Sequence, residues 1–116
     1  MIISGDDTIR DVLGISSEDK QRIMDFLQGA VYYYCNNNNG EKFSLREIMG
    51  GFNRDDWEKT PLGVLYEKQI NAGKSHDEAW TLAGQEGGRL LKKVINQDAR
   101  KFETEKDEQI RKYKLV

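Results

Sequence analysis

Two helix start signals in close succession constrain this chain more than any other feature in it. Thr60 followed by Pro61 marks the first, an N-cap hydroxyl with proline at the first helical position, where a missing N–H is harmless. Ser75 followed three residues later by Glu78 marks the second, a capping box. The tight link Asn71-Ala72-Gly73-Lys74 joins them, so residues 60–95 read as two helical segments, each with its own start.

The second of these segments poses a question of its own. Ala79, Trp80, Ala83, Gly87, Leu90, Leu91 and Val94 hold one helical phase, while Gly84, Gly87 and Gly88 each weaken a helix by about 1 kcal/mol relative to alanine. We expect one helix, kinked, with its glycines set tightly against a neighbour.

Upstream, Ser16-Ser17 caps a long helix whose stripe is Ile23, Phe26, Leu27, Ala30, Val31 and Tyr34. Asn36 to Gly40 stop it, since both residue types tolerate the left-handed backbone of a C-cap. A short helix follows with a second capping box, Ser44 to Glu47, closed by Gly50-Gly51. Residues 52–59 read as a polar loop in which Trp57 plugs the end of the core. The first fifteen residues read as a short strand or arm and then a helical turn at 7–13.

After Asn96 the composition changes. Residues 98–116 carry five acids and six bases, with Ala99, Phe102, Ile110 and Tyr113 as widely spaced apolar anchors. Asp107 with Arg111 and Glu108 with Lys112 are spaced as helical i,i+4 pairs. The expectation is therefore an all-α fold: a helical core domain over 1–97 and a solvated, charged C-terminal helix or tail over 98–116. The core is drawn from Ile23, Phe26, Leu27, Val31, Leu62, Leu65, Tyr66, Trp80, Leu90, Leu91 and Val94.

Composition removes several functions. The 116 residues suit one domain that needs no disulfide or metal to fold, and a net charge of -2 gives no global field to steer nucleic acid or an anionic membrane. A single cysteine, Cys35, rules out an internal disulfide and a cysteine metal cage. With no secretory leader and no transmembrane-length run, the expected location is cytoplasmic and no membrane partner is expected. Gly73-Lys74-Ser75 is not a P-loop, because Lys68 stands where the motif needs glycine and a helix precedes it. Asp55, Asp56 and Glu58 lack EF-hand spacing, and His76 has no metal or nucleophile companion nearby in sequence. No catalytic residue, cofactor or metal is assigned.

Three functional readings remain. The first is a small non-catalytic protein-interaction or regulatory protein that self-associates as a homodimer through Tyr32, Phe102, Ile110 and Tyr113. Tyrosine suits interfaces, and balanced charges let two C-terminal segments pair without net repulsion. The second is a helix-turn-helix nucleic-acid binder over residues 75–95, turning at Gly84 and reading with Arg89, Lys92 and Lys93; a sequence pI of 5.5 weighs against it. The third is a helical pocket protein for a small ligand, walled by Tyr32, Trp57 and Trp80.

Overall fold

A computed structural model of the chain describes residues 1–38, 40–49 and 54–116, with Arg54 and Asp55 described in backbone only. The elements in order are β1 (Ile2–Ser4), α1 (Ser17–Asn37), α2 (Leu45–Ile48), α3 (Arg54–Glu58), α4 (Gly63–Asn71), α5 (His76–Gln97), β2 (Phe102–Asp107) and β3 (Ile110–Leu115). The fold is α+β, not all-α.

The C-terminal segment accounts for the difference. It is a β-hairpin, not a helix, and β1 adds to it in parallel to give a three-stranded sheet ordered β1-β2-β3. Cross-strand register pairs Glu103 with Lys114 and Glu105 with Lys112, and Lys112 meets Asp107 at 3.2 Å, so the charges read as helical i,i+4 pairs take other partners across the hairpin. The two-residue turn, Glu108-Gln109, has both residues at positive φ, 47° and 72°. Such a turn normally carries Asn-Gly, and without that signature the hairpin leaves little trace in the sequence.

The helical expectations fare better. Residues 76–97 form one helix, so there is no turn at Gly84 and no helix-turn-helix within 75–95. Ser16 and Ser75 cap as expected, accepting from the Asp19 and Glu78 N–H groups at 3.0 and 3.2 Å. Glu47 reaches back to the Ser44 N–H at 2.8 Å and to its hydroxyl. Helix α4 starts later than Pro61, with Thr60 Oγ1 accepting from the Leu62 N–H at 3.2 Å. No helical turn forms at 7–13; the arm runs without regular structure to Ser16 and buries Val12. Residues 50–53, including the expected Gly50-Gly51 stop, lie outside the described residues, and 54–58 are helical where a loop was expected.

Helix α5 is the spine, packed against α1, α2 and α4. The expected core is buried except for Phe26, which is exposed, and Tyr66, which is half-buried. On α1 the buried face runs through Ile23, Met24, Leu27, Val31 and Cys35, and Phe26 falls outside that arc. The sheet closes one end of the core: Phe102 is fully buried, and Tyr113 pairs by backbone with Phe43, donating to its carbonyl at 2.7 Å and accepting its N–H at 2.8 Å. Gly5, at φ +97°, lets β1 leave the sheet beside Thr104, whose carbonyl oxygen would lie 2.0 Å from any Cβ there.

Of the three glycines of α5, only Gly87 makes a close contact. A Cβ on it would meet Leu45 Cδ2 and Trp57 Cη2 at 3.1 Å and Leu62 Cδ2 at 3.2 Å, whereas Gly84 and Gly88 face open space. The expectation of tight packing at all three is corrected accordingly. No described helix is long and apolar enough to cross a membrane.

Candidate functional site

The open space beside Gly84 and Gly88 belongs to a cleft of about 1150 Å³. Helix α5 supplies its floor, with Trp80, Gly84, Gly88, Leu91, Arg89 and Lys92 along one side. The hairpin end supplies one wall through Lys106, Gln109, Ile110, Arg111 and Tyr113. Asp6, Thr8 and Arg10 of the N-terminal arm, the start of α2 and Trp57 complete it. From Trp80 to Lys92 the floor spans ~18 Å of helix axis.

The two ends differ in chemistry. Trp57 and Trp80 lie at one end, both almost fully buried, with ring centroids 5.9 Å apart in an edge-on arrangement. Trp57 therefore does seal the core, from a helix and not a loop. Trp80 stacks on Tyr66 at 4.3 Å and donates its indole N–H to His76 Nε2 at 3.2 Å, while His76 Nδ1 lies 2.6 Å from the Tyr66 hydroxyl. His76 thus works as a polar clamp on an aromatic stack, although its own ring is solvent-exposed.

The other end is cationic. Among the described residues, six basic side chains line the cleft (Arg10, Arg46, Arg89, Lys92, Lys106 and Arg111) against the one carboxylate of Asp6. Among the described residues, Arg10, Arg89 and Lys106 make no ion pair. Partial burial holds the Lys92 ammonium below its ordinary pKa; Asp6 opposes that shift and Arg111 adds to it. The Tyr113 hydroxyl is buried with no hydrogen-bond partner among the described residues, and burial pushes its pKa upward.

The residues expected to act in this protein are distributed as follows. Trp57, Trp80, Arg89, Lys92, Ile110 and Tyr113 all border the cleft. Lys93 does not; it lies on the side of α5 facing Asp11. Tyr32 sits elsewhere, half exposed beneath the Arg100 guanidinium at 4.4 Å. Phe102 and Tyr113 are buried and cannot serve as interface side chains, while Ile110 is exposed at the hairpin end. The Asp55 side chain of the acidic cluster lies outside the described residues.

Sequence reading misses Asp6, Arg10, Lys106 and Arg111. For the last two a signal does exist: Phe102, Thr104 and Lys106, like Arg111, Tyr113 and Leu115, alternate along one face of a hairpin. Arg10 carries no such pattern. No protein-family model, no curated protein and no solved structure matches this chain.

Proposed function

We propose that this protein is a non-catalytic binding protein that takes an anionic small molecule in the cleft beside α5. The observation that supports this most is the charge balance there: among the described residues, Arg10, Arg89, Lys92, Lys106 and Arg111 line the cleft against the one carboxylate of Asp6, on a chain whose net charge is -2. Positive charge concentrated in a concave site with low-dielectric walls attracts anions strongly even when the whole molecule does not. This reading keeps the ligand-pocket residues Trp57 and Trp80 and gives Arg89 and Lys92 an anion to bind without requiring a DNA-reading helix.

Titration of a nucleoside triphosphate at low salt, followed by tryptophan emission and by calorimetry, tests it. Binding should weaken with added salt, and replacing Arg89 and Lys106 together with glutamine should weaken it roughly tenfold. A wild-type protein that binds no anion in low salt refutes the reading.

A second reading, self-association as a homodimer, is favoured by one face of α1, where Phe26 and Tyr33 are exposed. Aromatic side chains with free faces are the usual anchors of protein interfaces. Light scattering on wild type and on Tyr33→Ser decides it, since a protein that is monomeric at high micromolar concentration has no such dimer.

A further inference from the structure

We propose that Lys92 and Arg111 form the phosphoryl-binding point of the cleft, resting on the reading of that cleft as a ligand site, and that Asp6 occupies this point as an internal competitor which a bound phosphoryl group displaces.

The hairpin's two faces treat charge differently. On the outer face Glu103 stands opposite Lys114 and Glu105 opposite Lys112, each base matched by an acid. On the inner face the pairs are Phe102 with Leu115, Thr104 with Tyr113, and then Lys106 with Arg111. The apolar face that seals the core thus ends in two cations directly opposite each other, an arrangement that destabilises a hairpin. Lys92 brings a third cation to the same region from α5, and all three line the cleft.

One carboxylate answers them, and poorly. Asp6 Oδ2 lies 3.8 Å from Lys92 Nζ and 3.8 Å from Arg111 Nη2, at the outer limit of ion pairing and beyond hydrogen-bond distance from both. Its hydrogen bond is made instead to its own arm, Oδ1 accepting the Thr8 N–H at 2.9 Å. The Asp6 side chain is 55% exposed and that of Lys92 only 11%, so a loosely held carboxylate stands before a largely buried ammonium. A phosphoryl group carries up to two charges and three acceptor oxygens, enough to bond the Arg111 fork and Lys92 together. Tyr113 borders the same cleft, but its hydroxyl is buried and offers the ligand no donor. Gly84 and Gly88 keep the floor clear toward the tryptophan end, which leaves room for the rest of an organic phosphate.

Calorimetric titration of the full chain at low salt, with inorganic pyrophosphate and with adenosine triphosphate as separate probes, tests the proposal. Equal affinities would assign the site to the phosphoryl group alone, and a tighter triphosphate would add a contribution from the remainder; both agree with the proposal. Asp6→Asn keeps an oxygen for the Thr8 N–H but removes the competing charge, and should bind about three- to tenfold tighter. Lys92→Gln and Arg111→Gln should each lose about tenfold or more, while Glu105→Gln on the outer face should bind like wild type. Circular dichroism checks that each variant is folded. A folded Asp6→Asn that binds no tighter overturns the competitor while the cleft remains a ligand site. A wild type that binds neither probe overturns both readings, and binding of a long single-stranded polynucleotide without pyrophosphate overturns the phosphoryl point alone.

Discussion

The indole N–H of Trp80 donates to Nε2 of His76, and this single bond fixes the tautomer of the ring. An acceptor Nε2 carries no hydrogen, so in the neutral ring the proton sits on Nδ1 and is donated to the Tyr66 hydroxyl oxygen. His76→Ala should remove the imidazole acceptor that the Trp80 indole N–H uses and destabilise the fold by about 1–2 kcal/mol. The emission of Trp80 should shift as well. Chemical denaturation monitored by fluorescence measures both, and an unchanged midpoint would mean that water replaces the imidazole.

Alanine scanning along α5 should divide its glycines. Gly87→Ala places a methyl against Leu45, Trp57 and Leu62 and should cost about 1–3 kcal/mol. Gly84→Ala and Gly88→Ala meet nothing among the described residues and should each stabilise the helix by about 1 kcal/mol. If the cleft holds a ligand, the same two stabilising variants should bind it more weakly, because their methyls enter the floor. Thermal melts and ligand titrations on the same three proteins separate these effects.

Acid stability should depend on Asp98. Burial opposes its ionisation, yet the Arg100 guanidinium at 2.8 and 3.0 Å, the Arg100 N–H at 2.9 Å and Gln28 at 2.9 Å hold its pKa down to about 2. The folded value lies below the ordinary 3.8, so the stabilisation is present above that pH and is lost as pH falls toward about 2. The loss should amount to about 2 kcal/mol over that interval. Asp98→Asn should be less stable at neutral pH and should flatten the dependence below pH ~4.

The hairpin turn offers a stabilising change. Gln109 adopts φ 72° without being glycine, and Gln109→Gly should gain about 1 kcal/mol. Denaturant unfolding reads the gain directly. A loss would show that the Gln109 side chain, which borders the cleft, contributes more than its backbone strain removes.

How much of this was legible in the sequence follows from the range over which each signal acts. Helix starts are local: Ser16, Ser44 and Ser75 act on residues three positions away and could be read directly. The stripe of α5 was equally clear, because packing of Leu90, Leu91 and Val94 outweighs the propensity of three glycines. Residues 98–116 failed because Glu and Lys at alternating positions satisfy both a helix surface and a strand pair, and Glu108-Gln109 carries no turn residue. The cleft was hidden for another reason. Arg10, Arg46, Arg89 and Lys106 come from separate segments, so no window along the chain contains the site; of its lining the sequence marks Trp57 and Trp80 as ligand contacts and Arg89 and Lys92 as nucleic-acid contacts.

The parallel pairing of β1 with β2 joins Ile2 to Phe102 and so sets an order of events during synthesis. Strand β1 leaves the ribosome before β2 and must wait, unpaired, until Phe102 has been made. Helices α1, α4 and α5 can associate in the meantime through contacts close in sequence, while the sheet forms only after the last strand emerges. Because the cleft takes one wall from the arm and another from the hairpin, a nascent chain halted before Arg111 has no complete cleft. Ligand binding would then distinguish chains that have folded the hairpin from chains stalled before it.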